Sequence, residues 1–455
     1  MPRKAPAGGP DPALTCRLDA LSQLIPPDWV EQAAGPDRPH TRLTRRLMLW
    51  AVLAMGLFAH LPIREVFRHA FRLGPGRLPP PRNSLCVARR RLGVGPVRAL
   101  FLRLARPLAD GGRLPSALYK GLLRAGLDGT VFSVPDSAAN ARAFGRPRCG
   151  RGAGAFPQVR KLSLVELGTR AELAFVLKPC ARSENVMAPA LWRHLRPGML
   201  LYLDRQFFGY RLWQQVRRRR AHLLARVKRT AVLAPAERLA DGSYLAKIYK
   251  GHHDRRRDRG GEVVRVVRYR LDDPRRAGHG QEHRLVTSLL DAAAHPAREL
   301  IAEYHQRWEE ESAFGEQKAH LAGRAPAKPA HLRSETPGGV VQEMYALAIG
   351  HYALRALLAD AAGQAGEDPK RLSFVGGVRI LRLRLQEAPA GEGPATRWYE
   401  RLRREVGQER AGPRRNRVNP RVVKRKVSKF PAKRRQHRGL PPLTKPFVET
   451  IVLPC

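Results

Sequence analysis

Cysteine is scarce in this chain, which has five cysteines among 455 residues. They lie far apart and form no closely spaced pair, so neither a zinc site nor a disulfide framework is predicted. Such usage is typical of a reducing compartment. The longest apolar run, residues 47–59, is too short to cross a bilayer and predicts a buried helix. The first residues have no apolar core of a signal peptide. We therefore expect a soluble cytoplasmic protein with no membrane partner.

Acidic residues are also few, with 39 Asp and Glu against 84 Lys and Arg, and the net charge is +45. This imbalance destabilises a compact fold unless a polyanion neutralises it, so nucleic acid is the predicted partner. Aromatic residues make up only 7% of the chain, which disfavours an RNA-binding protein built on base stacking. Residues 413–438 hold 12 Lys and Arg and no acid, which predicts a tail that docks on a polyanion.

The chain changes character along its length. Residues 1 to about 110 contain apolar-periodic segments broken by Pro and Gly, which predicts helices with cationic edges. This region could bind DNA or form a generic bundle, since no helix-turn-helix pattern is present. Between about 120 and 228, short strands alternate with helices, which predicts an α/β sheet. Residues 229–290 favour strands, and helices are expected again beyond them.

The stretch YHQRWEEESAFGEQK, residues 304–318, is predicted to be helical. Tyr304, Arg307, Glu311 and Lys318 are spaced so that they share one face of a single helix. If this face packed into the core, these four positions would be apolar, but they are mostly charged. The face is therefore either solvated or the place where a carboxylate holds a metal beside groups that bind phosphate.

Two aspartates are predicted at the ends of strands, Asp128 in LDGT and Asp204 in LYLDR. With Glu311 they could converge on two Mg²⁺ ions, because hard cations take oxygen ligands. Two metals about 3.5–4 Å apart assist an in-line phosphoryl displacement. Alternatively, Asp128 is a turn residue and Asp204 is the N-cap of a helix starting near Gln206. Asp136 is a nearby competitor for the first acid.

The spacing of Tyr304, Arg307, Glu311 and Lys318 resembles the signature of DDE transposases of the insertion-sequence-four type, a ribonuclease-H-like group. The segments around the two aspartates, DGTVFSVPDSAANARAFG and LLYLDRQFFGYRLW, resemble the same family. A β-rich stretch between the second and third acids also fits its layout. Further similarity lies in RRLMLWAVLAMGLFAHLPIREVFRHAF, SLCVARRRLG and RVVKRKVSKFPAKR, so the resemblance covers nearly the whole chain.

The resemblance implies roles for individual residues. The acids implied to be catalytic and to bind Mg²⁺, for which Mn²⁺ substitutes, are Asp128, Asp204 and Glu311. The residues implied to contact DNA near the scissile phosphate are Tyr304, Arg307, Trp308 and Lys318. Trp308 would stack on a base, with ordinary packing against the sheet as the alternative. Family members that cut through a hairpin can use an aromatic residue before the last helix. That residue holds a flipped base. His283 is the only ring there, and the hairpin and direct cleavage routes both stay open.

The implied fold is a ribonuclease-H-like α/β core interrupted by a β-rich insertion, with helical regions at both ends of the chain. The expected domains are a helical DNA-binding domain at 1–115, the first part of the core at 120–228, the insertion at 229–290, the rest of the core with the Glu helix at 291–362, and a basic C-terminal region at 363–455.

The implied function is metal-dependent hydrolysis at the ends of a transposable element followed by strand transfer into target DNA. The expected partners are double-stranded DNA, as terminal inverted repeats and as target, and a second copy of the chain. The protein is expected in the bacterial cytoplasm, associated with the nucleoid. Two alternatives stay open, a stand-alone DNA nuclease on the same core and a catalytically inactive DNA-binding protein. Joining of DNA ends to a second DNA distinguishes the transposase from both alternatives.

Overall fold

The computed structural model describes residues 14–109, 112–149, 152–276, 278–323, 332–412, 422, 431–438 and 445–454. Most of the predicted basic tail at 413–438 lies outside the described residues. The chain forms two compact units. The first comprises Met1–Leu123, Asp128–His194 and Glu309–Ala411, and the second comprises Arg124–Leu127, Leu195–Trp308 and Gly412–Cys455. Within the described ranges, no helix is both long and apolar enough to span a membrane.

Helices and strands both contribute substantially. The described helices are α1 (Pro27–Ala34), α2 (Arg45–Leu57), α3 (Ile63–Ala70), α4 (Arg82–Leu92), α5 (Gly95–Leu104), α6 (Ala138–Phe144), α7 (Glu184–Met187), α8 (Tyr210–Arg217), α9 (His252–Arg256), α10 (Ala297–His305), α11 (Glu309–Gly315), α12 (Pro337–Gln364), α13 (Phe374–Arg384) and α14 (Glu392–Gln408). The described strands are β1 (Leu118–Tyr119), β2 (Leu122–Ser133), β3 (Arg148–Cys149), β4 (Gly152–Ala153), β5 (Gln158–Glu166), β6 (Glu172–Pro179), β7 (Met199–Leu203), β8 (His222–Arg226), β9 (Glu237–Arg238), β10 (Tyr244–Ile248), β11 (Glu262–Leu271), β12 (His283–Thr287) and β13 (Ile451–Val452).

Two apolar helices, α2 and α12, form the centre of the helical part of the first unit. Thr44 caps α2 by accepting a hydrogen bond from the Leu47 amide at 3.2 Å, and most residues of both helices are buried. A helix that is apolar on all sides is expected to be enclosed by others. At Gly56 the two backbones meet so closely that a Cβ would lie 2.0 Å from the carbonyl oxygen of Ala346. Gly56 is therefore required for this contact.

We expect Gly56→Ala to destabilise the protein by about 1–3 kcal/mol or more, because the added methyl group meets rigid backbone. Gly363→Ala in α12 is the matched control, since a Cβ there has its nearest neighbours at 3.7 Å. The control should be neutral or stabilising by up to about 1 kcal/mol, from the higher helix propensity of alanine. Urea unfolding measures both. Equal stability of the two variants would contradict a close helix contact at Gly56.

A β-hairpin is the main sheet element of the first unit. Strands β5 and β6 pair antiparallel, with Val159 opposite Pro179, and residues 167–171 join them. Arg170 in this turn has φ of 62°, in the left-handed region. Strand β2 neighbours β5. The β2 residues Asp128–Ser133 belong to this unit, and Arg124–Leu127 belong to the second.

The second unit contains a large mixed sheet in the order β2-β7-β8-β12-β11-β10-β9. Strands β7 and β8 are parallel, and β8 pairs antiparallel with β12. The strands within residues 229–290 therefore continue this sheet through β12. The protein is a mixed α/β protein with a large sheet and helices towards both ends of the chain, in agreement with the predicted class.

Residues 445–454 pack against β11 and α10 within the second unit. Strand β13 pairs with the end of β11, with Leu271 opposite Ile451. The ring of Phe447 stacks on His305 of α10, with centroids 4.1 Å apart. The guanidinium of Arg298 donates to the Val448 carbonyl at 3.1 Å. This segment covers one side of α10.

Candidate functional site

Asp128 lies inside strand β2, which continues to Ser133. The prediction that Asp128 ends a strand is wrong, and so is the alternative that it is a turn residue. The strand continues because Thr130, Val131 and Phe132 are β-branched or aromatic and favour extended backbone. The Asp128 carboxylate accepts a hydrogen bond from the Gly129 amide at 2.8 Å.

A second carboxylate, that of Glu184, lies against the backbone beside Asp128. A Cβ on Gly129 would lie 2.2 Å from Glu184 Oε1, so only glycine permits this approach. Arg160 holds Glu184 at 2.7 Å. Asp136, the competitor for the first acid, is exposed beyond the end of β2 and forms an ion pair with Arg146.

Asp204 directly follows strand β7, as predicted. Its side chain accepts the Arg205 amide at 2.6 Å, and its carbonyl accepts the Phe207 amide at 2.9 Å. Helix α8 begins only at Tyr210, with Gly209 at its N-cap. The alternative that Asp204 caps a helix near Gln206 is therefore wrong.

Helix α10 is fixed to the end of β7 by two side chains. The buried Tyr304 hydroxyl donates to the Leu203 carbonyl at 3.1 Å, next to Asp204. Glu303 accepts two hydrogen bonds from Arg124, each 2.8 Å, and one from Tyr202 at 3.0 Å. Burial raises the pKa of Tyr304, although Arg307 opposes this. The phenol is therefore protonated and acts as a donor at neutral pH.

We expect Tyr304→Phe to lower the free energy of unfolding by about 0.5–1.5 kcal/mol, because the Leu203 carbonyl loses its donor. The matched control is Tyr249→Phe, whose hydroxyl donates to Asp258 at 2.8 Å near the surface. That variant should change stability by less than about 0.5 kcal/mol. Urea unfolding and DNA-binding anisotropy are measured together. Weakened DNA binding at unchanged stability would contradict a positioning role and favour phosphate contact.

The helix predicted from Tyr304 to Lys318 is interrupted. Helix α10 ends at His305, a 3₁₀ turn covers Gln306–Trp308, α11 follows, and a π-helical turn covers Glu316–Leu321. The prediction of a single helix with one shared face is therefore wrong. Two acids of this stretch, Glu309 and Glu316, form ion pairs with Arg170 outside it.

Exposure differs sharply along this stretch. Glu309 and Glu310 are buried in α11, whereas Glu311 is exposed. Arg307 is buried with its guanidinium 5.3 Å from the centroid of the Trp308 ring, and Trp308 is 37% exposed. The alternative of a solvated charged face is therefore wrong for most of residues 304–318. The exposed Trp308 ring is accessible to a base, and its stacking role stays a prediction.

A buried ionic network surrounds Glu316. Its carboxylate accepts hydrogen bonds from Arg170 at 2.8 Å and from Arg355 Nε at 2.8 Å, and it lies 3.0 Å from His351 Nε2. Arg170 also contacts Glu309 at 2.7 Å. This network was not predicted from the sequence. The seven-residue spacing of two glutamates in one helical stretch was the available signal, since it places both on one face.

The network shifts the ionisation of its members. Burial raises the pKa of Glu316, but Arg355, His351 and Arg170 outweigh burial and hold the pKa well below the ordinary 4.5. Burial lowers the pKa of Arg170, but Glu316 and Glu309 outweigh it and raise the pKa overall. Burial lowers the pKa of His351. Glu316 is therefore ionised at neutral pH.

We expect Glu316→Gln to cost about 3–5 kcal/mol at pH 7, because Arg355 keeps a buried charge without its counter-ion. A depressed folded-state pKa stabilises the protein above the ordinary value of 4.5, and this stabilisation is lost as pH falls below that value. The difference between wild type and variant should therefore shrink below pH 4.5. Urea unfolding across pH measures it.

Glu387→Gln is the control for this change, since Glu387 is 56% exposed in its pair with Arg384. It should alter stability by less than about 1 kcal/mol at any pH. A Glu316→Gln deficit that stays constant down to pH 3 would contradict the proposed ionisation.

Lys318 is directed onto strand β2 by the π-helical turn. Its ammonium donates to Thr130 Oγ1 at 2.7 Å and lies 5.0 Å from the centroid of the Phe132 ring. Burial lowers the pKa of Lys318, and Lys161 adds to this shift. Lys318 is thereby held two residues along β2 from Asp128. Insertion of a π turn is frequent at functional sites.

His283, the ring considered for holding a base, is buried within the second unit. Its Nε2 lies 3.1 Å from the Gly278 carbonyl, and its Nδ1 lies 3.0 Å from Arg226. The Tyr269 ring packs against it at 5.1 Å. Both ring nitrogens are engaged inside the protein.

Asp128 and Glu311 belong to the first unit and Asp204 to the second. Across the part of the chain that the structure describes, no group of three or more His, Cys, Asp or Glu could hold a metal ion. The donor chemistry nevertheless fits, because carboxylate oxygens are what Mg²⁺ prefers.

Known proteins resemble the chain over most of its length. Residues 15–102 match the insertion element 4 transposase N-terminal family, and residues 125–351 match the transposase DDE domain. The transposase InsG for insertion sequence element IS4 of Escherichia coli (strain K12) is 27% identical over 427 residues, which is 91% of this chain and 93% of that protein. The putative transposase InsZ of the same organism is 24% identical over 197 residues, 42% of this chain and 64% of that protein.

A similar solved structure is that of the piggyBac transposase in a synaptic complex with hairpin DNA. The TM-score is 0.40 at 11% identity, and the alignment covers 85% of each chain.

Proposed function

Because the chain belongs to the DDE transposases of the insertion-element-4 type and is a DNA transposase, we propose that it hydrolyses phosphodiester bonds at transposon ends and joins the freed ends to target DNA. The observation that carries this proposal is the location of the signature residues. All three acids and all four predicted DNA-contacting residues lie inside the region that matches the DDE domain.

DDE domains generally depend on divalent metal, and we propose that Asp128, Asp204 and Glu311 hold Mg²⁺, with Mn²⁺ as a substitute. When bound, the metal would supply activation of the attacking oxygen and stabilisation of the leaving oxygen. The chain's own part is to orient these carboxylates. Tyr304 fixes the backbone before Asp204, and strand β2 holds Asp128 in extended backbone.

The proposed DNA-contacting residues differ in the kind of contact that each can make. We propose that Arg307 grips a phosphate with two N–H groups and that Lys318 supplies a point charge. Trp308 would stack on a base. Tyr304 was implied to contact phosphate as well, yet its one proton is donated to the Leu203 carbonyl. It can donate to a phosphate only by giving up that bond.

We also propose the larger organisation implied by the resemblance. The substrate would be double-stranded DNA as inverted repeats and target, bound by a dimer on two ends and located at the nucleoid. Residues 229–290 would be an insertion in the ribonuclease-H-like core, and residues 1–115 and 363–455 would add DNA affinity through their basic side chains. Such affinity weakens steeply with salt.

We expect Glu311→Ala to lower cleavage and joining of inverted-repeat DNA by about a thousand-fold or more with Mg²⁺ or Mn²⁺, which corresponds to several kcal/mol. DNA binding should persist, since a neutral side chain leaves the positive surface intact. Gel-resolved nicked and joined products are the measurement. Glu400→Ala is the matched control, because Glu400 is another exposed helical glutamate of the first unit, and it should keep full activity.

Three outcomes would redirect the proposal. Wild-type cleavage without joining would identify a nuclease on the same core. Equal activity of Glu311→Ala and wild type would remove Glu311 from the site. Binding without cleavage by wild type would identify an inactive DNA-binding protein.

A further inference from the structure

Arg170 contacts the Glu311-bearing stretch on both sides of Glu311. Its guanidinium reaches Glu309 at 2.7 Å and Glu316 at 2.8 Å. Glu309 precedes Glu311 by two residues, and Glu316 follows it by five. One side chain from the β5–β6 hairpin therefore holds the start of α11 and the start of the π-helical turn. These two contacts fix the rotation of α11 about its own axis and its position along that axis.

A second set of contacts holds the same stretch from α12. Arg355 bonds Glu316 at 2.8 Å, and His351 lies 3.0 Å from it. The side chains of Arg355 and His351 are 0% exposed, and those of Arg170 and Glu316 are 12% and 6% exposed. We call Arg170, Glu309, Glu316 and Arg355 the Arg170 clamp.

The clamp is poorly explained as a source of stability. Burying charges costs several kcal/mol per ion, and replacing buried pairs with apolar residues is often neutral or stabilising. Arg170 also adopts a φ of 62°, which is uncommon for a residue with a side chain. What ion pairs do provide is directional geometry, since a guanidinium donates its hydrogen bonds to carboxylates in its own plane. This indicates placement of α11 as the role of the clamp.

We infer that Arg170 is a positioning residue for Glu311, acting through Glu309 and Glu316. This inference rests on the proposed role of Glu311 in metal binding. Glu311 is exposed, and its buried neighbours Glu309 and Glu316 make the hydrogen bonds of the clamp. The orientation of the Glu311 carboxylate therefore depends on the orientation of α11. Active-site groups must be held within about 0.5 Å of productive geometry by supporting contacts. A variant with a loosened clamp should therefore bind and use the metal less well while the protein remains folded.

The test compares Arg170→Gln with wild type in the full-length chain. The Mn²⁺ concentration for half-maximal cleavage should rise at least about tenfold, and direct Mn²⁺ binding, read from the loss of the free-ion electron paramagnetic resonance signal, should weaken in parallel. Inverted-repeat DNA binding should be unchanged. Arg170→Lys keeps the charge but cannot bridge two carboxylates in one plane, so its Mn²⁺ demand should fall between wild type and Arg170→Gln.

Arg89→Gln is the matched control for loss of a buried arginine. Arg89 in α4 is 12% exposed, pairs with Glu343 of α12 and bonds Gln342 at 2.9 Å. It should lower the melting temperature, as Arg170→Gln does, without changing the Mn²⁺ demand. If Arg170→Gln has an unchanged Mn²⁺ demand, or if Arg89→Gln shifts it equally, the positioning role is overturned.

A second variant keeps the inference testable if Arg170→Gln fails to fold. Glu309→Gln removes one charge of the clamp and leaves Glu316 with Arg170, Arg355 and His351. It should raise the Mn²⁺ demand, and wild-type demand would again overturn the role. Failure of the proposed function looks different, because Glu311→Ala would then match wild type. An essential Glu311 with normal Mn²⁺ demand in both clamp variants rejects only the clamp.

Discussion

The ion pairing of one buried carboxylate, Glu316, unites three parts of the first unit. The β5–β6 hairpin contributes Arg170, helix α12 contributes Arg355 and His351, and the carboxylate itself follows α11. Because an unpaired charge at this depth would be strongly unfavourable, Glu316 stays buried only while the arginines of these elements pair with it. The placement of α11, and with it Glu311, depends on this condition.

The sequence predicted features governed by local pattern and missed those governed by tertiary contacts. Asp204 was placed correctly because an apolar run stops where β7 stops. Asp128 was misplaced because a Gly after an Asp suggests a turn, whereas the residues beyond it continue as a strand. The helix at Tyr304 was predicted as continuous because most of its residues favour helix, whereas the structure has a 3₁₀ turn at Gln306–Trp308.

The family was predictable because its signature depends on spacing in the sequence, and the matches over both regions confirm it. The Arg170 clamp was not predictable in the same way. Its members come from a turn, two helical segments and a long apolar helix that are distant in sequence. No periodicity links Arg170 and Arg355 to the two glutamates, and an arginine in a turn ordinarily indicates solvent exposure.

The large positive charge is only partly available to DNA. Arg382 donates to the carbonyls of Leu57 at 2.7 Å and Leu321 at 3.0 Å, and burial lowers its pKa to about 10. Arg265 is fully buried and donates to the His295 carbonyl at 2.7 Å. Such arginines act as internal hydrogen-bond donors, so a formal charge of +45 overstates the cationic surface.

The pairing of β13 with β11 has a consequence for shortened forms of this chain. A variant ending before residue 445, made to remove the basic stretch, would also remove a strand and the Phe447 ring that covers His305. Helix α10 would then lose the contacts of Phe447 with His305, next to Tyr304, and of Val448 with Arg298. A loss of activity in such a variant would combine missing charge with a loosened helix, and neutralising the basic residues within the intact chain would separate the two.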